Sequence, residues 1–247
     1  MSIMGVDTCV VVSFYDERPS DELFRLLRQL LDTDEGGEFK VCVVVNSERY
    51  FQISLPEDLS GITVIYRKNS GFNIGAWNHG WKENPGFSYY IFLQDECEIV
   101  NARWLSRYKL LLSRNRAGLV GESLLLWPSW ASLSREWPES YAECVSLGNL
   151  QNIELGTSSS HLQTLALGAT AACLEATGGF LMADKKVGAI ATEIMLSRHC
   201  ICLGFKIAQS AWRPFEFFSH SQWSEIRNNS NKLEWNISRV LKLMRRR

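Results

Sequence analysis

The sequence lacks an excess of either charge: 26 lysines and arginines stand against 27 aspartates and glutamates, for a formal net charge of -1. That excludes a nucleic-acid binder that relies on bulk positive charge. No apolar run approaches the ~20 residues a membrane span needs. The N-terminus has no basic segment followed by a long apolar one, so no secretory leader is expected. The seven cysteines are Cys9, Cys42, Cys97, Cys144, Cys173, Cys200 and Cys202. Their number is odd, they contain no CxxC pair, and most lie in apolar runs. They read as reduced core residues of a cytosolic protein, which excludes a disulfide framework and a cysteine zinc site. No internal repeat, low-complexity tract or linker divides the chain, and a single domain is expected. No glycine-rich loop with a following Arg or Lys succeeds the first strand, which argues against a nucleotidyltransferase.

What is present is a folded composition, 46% hydrophobic and 21% charged, with nine tryptophans. Several of the tryptophans stand in loop-like, proline-containing stretches, where an indole either meets a ligand or packs on the domain. The chain is organised around Tyr89–Val100. Its apolar run, Tyr89 to Leu93, reads as a strand buried on both faces, and Asp95, Glu96 and Glu98 follow at once. An open α/β sheet keeps its ligand site at the C-terminal ends of such strands. Crowded carboxylates repel one another, and a divalent cation relieves that repulsion. A strand end entering solvent accounts for the acids as well. Glu98 points the same way as Glu96 if the strand continues.

Around this stretch the chain alternates strand and helix. Thr8–Tyr15 and Phe39–Val45 are β-branched, buried strands. Between them Ser20 is a good helix N-cap, Asp21 and Glu22 suit the first turn, and Leu23, Leu26, Leu27, Leu30 and Leu31 share one helical face. The first two strands are therefore expected to be parallel. Ile62–Tyr66 is a third strand, and the glycine- and asparagine-rich stretch 67–81 enters a short helix. Asn101–Arg114 is predicted as a helix, Gly118–Trp127 as a strand, and Trp127–Gly156 as irregular. Leu162–Thr177 is predicted as a helix preceded by His161, and Gly178–Ala183 as a strand. Ala189–Leu203 is predicted as a helix with Glu193 near its start. Phe205–Gln209 is a short strand, and Asn231–Met244 an amphipathic final helix. The pattern argues an α/β layered domain.

Several segments together resemble the GT-A glycosyltransferases, in particular the rhamnosyltransferase-like members of the large inverting family. Ser13-Phe14-Tyr15-Asp16 is similar to that family's strand end that receives the nucleotide base. Asn46-Ser47 falls at its turn after the second strand. Asn69-x-Gly71-x-x-x-Gly75-Ala76-x-Asn78-x-Gly80 is similar to its N-x-G…A-x-N-x-G segment. Phe92-Leu93-Gln94-Asp95-Glu96 is similar to its metal strand, Gly178–Met182 to its G-x-F strand, and the stretch from Thr192-Glu193 to Ile207 to the helix bearing its catalytic base. The resemblance spans roughly residues 8–210 in order. The sequence departs from the family pattern at three points. Gln94 stands where the first Asp of the metal motif is usual, Asp16 where Asn is usual, and Ile194 where a second acid would follow Glu193.

The resemblance implies a GT-A-like fold with a mixed, mostly parallel sheet. It places a nucleotide-binding half at 1–100, an acceptor-binding half at 101–225 and a C-terminal helix at 226–247. It further implies transfer of a sugar from a UDP-, GDP- or dTDP-sugar onto a glycan or lipid-linked glycan, of the kind built into bacterial surface polysaccharides. Glu193 would be the catalytic base of an inverting reaction; as a plain helix-dipole acid it needs no such role. Phe14, Asp16 and Asn46 would frame base and ribose. Gly71, Asn73, Gly75 and Asn78 would line the nucleotide pocket, with Gln94 and Asp95 at its end. Asp95, Glu96 and His220 would hold Mn2+ or Mg2+; a histidine among aromatics is also an ordinary packed residue. His161 would meet acceptor or diphosphate, while His79 and His199 read as packing residues. Trp127, Trp130, Trp137 and Tyr141 would stack on sugar rings. Lys242 and Arg245–Arg247 would touch an anionic membrane surface or end the chain in solvent. A retaining transferase, and a catalytically silent sugar-nucleotide or glycan-binding module, are the rivals. The departures at Gln94 and Ile194 motivate the silent module.

Overall fold

Three apolar runs without polar interruption become the centre of a sheet. The computed structural model describes residues 6–32, 38–49, 52–126, 129–183 and 186–220. The runs form β1 (Thr8–Tyr15), β2 (Lys40–Asn46) and β4 (Tyr89–Gln94), and β3 (Thr63–Arg67) completes a parallel block. β1 is fully buried over seven of its eight residues, as a strand covered on both faces must be. Farther along lie β6 (Ala117–Gly121), β9 (Ala166–Thr170) and β10 (Lys206–Gln209). The seven strands run in the order β10-β6-β9-β4-β1-β2-β3. Only β9 is antiparallel to its neighbours, β4 and β6. This mixed, mostly parallel sheet flanked by helices is a single α/β domain, as the alternation predicted.

Period-two alternation sends β1 side chains to two cores. Val10, Val12 and Phe14 pack with α1 (Asp21–Asp32) and α3 (Trp104–Leu112), while Cys9 and Val11 pack under α2 (Phe72–Glu83). On α1 Leu23, Leu26, Leu27 and Leu30 are buried, each worth roughly 1.5–3 kcal/mol. Leu31, expected on the same face, is instead 52% exposed. A third cluster joins α4 (Trp130–Glu136), α5 (Pro138–Gln151) and α7 (Lys186–Cys202) through Leu133, Cys144, Ile194 and Met195. All seven cysteines are unpaired thiols and six are buried. Among the described residues no helix is long and apolar enough to cross a membrane.

The structure departs from the expected elements in four stretches. The stretch 127–156 is not irregular where described: Ser129 caps α4 by accepting from Ser132 N–H, and Pro138 starts α5 rather than breaking the chain. The stretch 162–177 is not one helix. It holds β8 (His161–Leu162), β9 and α6 (Ala171–Thr177). The Ala/Leu-rich composition reads as helix, but the slot between β4 and β6 admits only small residues at a crowded point. A Cβ on Gly168 would stand 2.6 Å from a ring carbon of Tyr108. No strand forms at 178–183, because Gly178 (φ +70°) ends α6 in the left-handed region and Gly179 (φ +93°) continues the turn. The expected strand from Gly118 splits into β6 and β7 (Leu124–Leu125) at Glu122-Ser123.

Candidate functional site

From β1, at the middle of the sheet, the chain runs outward through β2 and β3 and then crosses back by way of α2 to β4, on the other side of β1. The crevice outside the C-terminal ends of β1 and β4 is thus a topological switch point. Asp16, Arg18, Asn46, Gln94, Asp95 and Glu96 gather there. Asp16 N–H donates to the Asn46 carbonyl at 3.2 Å. Asn46 is held on both sides, accepting from Arg67 Nη1 at 2.6 Å and donating to the Phe72 carbonyl at 3.2 Å. One buried oxygen each of Asp16 (Oδ1) and Asp95 (Oδ2) has no hydrogen-bond partner. Such atoms are costly unless a ligand completes them.

After β4 the chain turns through Asp95 and Glu96 into β5 (Cys97–Ile99), which pairs with β11 (Phe218–His220). The turn keeps Asp95 in the crevice; Asp95 N–H donates to the Ser13 carbonyl at 3.1 Å. Burial pushes the Asp95 carboxyl up to about 7, although the Arg18 guanidinium beside it pulls the other way. Arg18 Nη1 lies 2.5 Å from Glu96 Oε2 and 3.9 Å from Asp95 Oδ1. Glu98 does not join them; it is exposed on β5 and accepts from Ser219 Oγ at 3.3 Å.

Gln94 is buried and bridges two elements. Its Nε2 donates to the Thr164 carbonyl at 2.9 Å, and its Oε1 lies 3.0 Å from His220 Nε2. His220 is 2% exposed, and burial holds its imidazole below the ordinary range. Its Nε2 is also 3.7 Å from Glu96 Oε2. β11 is brought there by Glu122, whose buried carboxylate accepts from Tyr108 OH at 2.8 Å and from the backbone N–H groups of Phe217 and Phe218 at 3.0 and 3.3 Å.

Glu193 sits not at a helix start but midway along α7, so a helix-dipole role falls away. Its Oε2 accepts from both Thr164 N–H and Thr164 Oγ1, each at 2.7 Å. Its Oε1 lies 3.3 Å from His161 Nε2. His161 precedes no helix; it is a fully buried residue of β8. Its Nδ1 faces the Ser159 carbonyl at 3.0 Å, so Nδ1 carries a proton and Nε2 is turned toward the carboxylate.

The other expected residues are spread over β1, α2 and the α4–α5 region. Phe14 is in the core under α1, because alternation along β1 sends it away from the α2 side. Gly71 (φ +71°) opens α2 in the left-handed region. Asn73 Oδ1 accepts from Ser13 Oγ at 3.4 Å, and Asn78 Oδ1 accepts from Phe180 N–H at 3.1 Å. Gly75 was expected to let backbone approach a ligand. Its close neighbour is internal instead, since a Cβ there would stand 2.0 Å from the Ser70 carbonyl oxygen. Trp130 and Tyr141 pack on the third core cluster, with Trp130 Nε1 donating to the Leu155 carbonyl at 2.9 Å, so neither forms an open stacking face. Trp137 is 36% exposed and lines a cavity of about 380 Å³ with Pro138, Glu139, Ser140 and Ile190. Trp127, the C-terminal helix, Lys242 and Arg245–Arg247 lie outside the described residues.

Sequence reading missed Arg18, Arg67, Glu122 and Thr164. Arg18 and Glu96 are 78 residues apart, and Tyr108 and Glu122 belong to a helix and a strand end with no shared motif. No local pattern signals such pairs. The residues proposed for a cation do not, as placed, make a site for one. His220 Nε2 is taken by Gln94 and Glu96 by Arg18, and no group of three His, Cys, Asp or Glu among the described residues could hold a metal ion.

The chain matches no family model and no curated protein. It is similar in fold to a solved mannosyltransferase, PcManGT from Pyrobaculum calidifontis, in complex with GDP-Man and Mn2+. The TM-score is 0.52 at 12% identity, covering 82% of this chain and 54% of the other. It also matches S. aureus TarS 1-349 at a TM-score of 0.47 and 14% identity, over 78% of this chain and 56% of that one. The chain thus spans about half the length of these structures. The likeness to PcManGT is one of fold: both hold a mixed, mostly parallel α/β sheet flanked by helices.

Proposed function

We propose that the protein transfers a sugar from a nucleoside-diphosphate donor to a hydroxyl of a glycan or lipid-linked glycan. The observation that carries this reading is the pair of buried, partnerless carboxylate oxygens of Asp16 and Asp95 just past the ends of neighbouring strands, with Gln94, next to Asp95, tied through Thr164 to Glu193. In this reading residues 1–100 hold the donor. Asp16 and Asn46 receive base and ribose; Asn73 and Asn78 border the pocket. Residues 101–225 hold the acceptor. The cavity at Trp137 is lined by Ile190, on the same helix as Glu193 and one turn before it, and offers an indole face to a sugar ring.

The acceptor hydroxyl gives its proton to Glu193 Oε1 while its oxygen attacks the anomeric carbon. The bond to the diphosphate oxygen breaks, and its electron pair leaves with the nucleoside diphosphate. With Oε2 held by two donors from Thr164, Oε1 is the oxygen left for that proton, and His161 Nε2 stands beside it to share it. A single displacement of this kind inverts the anomeric centre. Bacterial surface polysaccharide as the product rests on the resemblance in sequence. A divalent cation, Mn2+ or Mg2+, enters through that resemblance and through the Mn2+ named for PcManGT. Among the described residues no group of three is placed to hold it, and no step above is routed through it.

The silent binding module is favoured by one observation: Gln94 and Ile194, at two acid positions, are committed to bridging and to the core. The two readings separate when the protein is given UDP-, GDP- and dTDP-sugars. Thermal shift reports binding, and release of nucleoside diphosphate reports turnover. Binding with release supports the transferase, binding without release on any acceptor supports the module, and no binding overturns both.

A further inference from the structure

We propose that Gln94 is a positioning residue that ties the orientation of Glu193 to the placement of His220, and that its amide is required because it must donate on one side and accept on the other. This rests on the reading of Glu193 as the base. The Thr164 carbonyl can only accept, so the Gln94 atom 2.9 Å from it is Nε2. Oε1 therefore faces His220, and the His220 nitrogen 3.0 Å away must be an N–H donor. Gln94 thus selects the Nε2–H tautomer of His220.

On its other side Gln94 holds the Thr164 carbonyl and so restrains the backbone angles of that residue. The same residue's N–H and Oγ1 grip Glu193 Oε2 at 2.7 Å each. The chain of contacts runs Glu193, Thr164, Gln94, His220, and its ends belong to α7 and β11. All four residues are buried or half-buried, so water does not substitute readily for a lost partner. An aspartate at position 94, the residue usual in the resembled family, has no hydrogen to offer Thr164. The departure from the motif is then the feature that orients the base: freed of Gln94, the Thr164 carbonyl can turn, the backbone angles at Thr164 relax, its N–H and Oγ1 shift, and Oε1 loses its aim at the acceptor hydroxyl.

The test uses the full chain, wild type and the variants Gln94→Glu and Gln94→Met. At alkaline pH, where its carboxyl is ionised, Gln94→Glu keeps an acceptor for His220 but removes the donor to Thr164; Gln94→Met removes both. In wild type, NMR should show His220 as the Nε2–H tautomer and a downfield Thr164 amide proton, as its short bond to a carboxylate requires. Gln94→Glu should move the Thr164 amide upfield and leave the His220 tautomer, while Gln94→Met should disturb both. In each variant kcat should fall about a hundredfold with KM for the donor changed less than about twofold. A Nδ1–H tautomer of His220 in wild type, or a Thr164 amide unmoved in both variants, overturns the proposal without reference to activity. So does a Thr164 amide that moves while kcat stays at the wild-type value, provided Glu193→Gln is inactive. If Glu193→Gln is as active as wild type, the reading of Glu193 as base fails instead, and the NMR results alone decide whether Gln94 makes the linkage.

Discussion

Gln94 Oε1 and His220 Nε2 meet at 3.0 Å across 126 residues of sequence, and the other end of the same amide holds Thr164. The pair joins the end of a central strand to the last described strand. Through Thr164 it reaches Glu193, whose second oxygen faces the buried His161. The carboxylate is therefore held by a built frame rather than left to sample solvent.

Replacing Glu193 by Gln keeps the shape of the side chain and removes its capacity to take a proton. Transfer to an acceptor should fall about 10²- to 10⁴-fold, while donor binding by thermal shift stays at the wild-type value. Equal rates would take Glu193 out of the mechanism.

Asp95 makes stability depend on pH. Its folded-state carboxyl is raised to about 7, above the range of an unfolded aspartate, so the folded chain binds the extra proton. Asp95's contribution is most favourable below about pH 4 and is lost as pH rises through about 7. In cation-free buffer, Asp95→Asn should be more stable than wild type at pH 8, on the order of a few kcal/mol. The gap should close toward pH 4.5. Urea midpoints measured across this window check it; a variant less stable than wild type at pH 8 would refute the burial account.

Glu122 is a structural acid. Removing it in Glu122→Ala strands the Tyr108 hydroxyl and the N–H groups of Phe217 and Phe218 in the interior. A loss on the order of 3 kcal/mol or more is expected, read as a lower Tm. Because those residues carry the chain to His220, the His220 ring resonances should shift in the same variant. An unchanged Tm would mean that water reaches these donors.

Trp137→Ala tests the acceptor cavity. The indole is partly exposed beside Ile190, so its loss should raise KM for the glycan acceptor about tenfold, near the value of one stacking contact of about 1 kcal/mol. KM for the donor should not change. An equal rise in both constants would place Trp137 outside the acceptor subsite.

Short-range physics made much of the frame legible in the sequence. β-branched runs bury on both faces, so β1, β2 and β4 were readable, and α1 was readable from its cap, acidic first turn and leucine spacing. The acids after Leu93, and Glu193 within its helix, were readable as candidates because few residue types do acid–base chemistry. Tertiary contact decided the rest. β9 is a strand because a gap between β4 and β6 accepts Gly168 there, whereas its local composition favours helix. Pro138 begins a helix because α5 has α7 to pack against. Gln94 could be read only as a departure from an acidic motif, since its meaning lies in Thr164 and His220, 70 and 126 residues away. Periodicity and capping act within a few residues of the chain. A hydrogen-bond network across a crevice exists only once the sheet order has brought its members together.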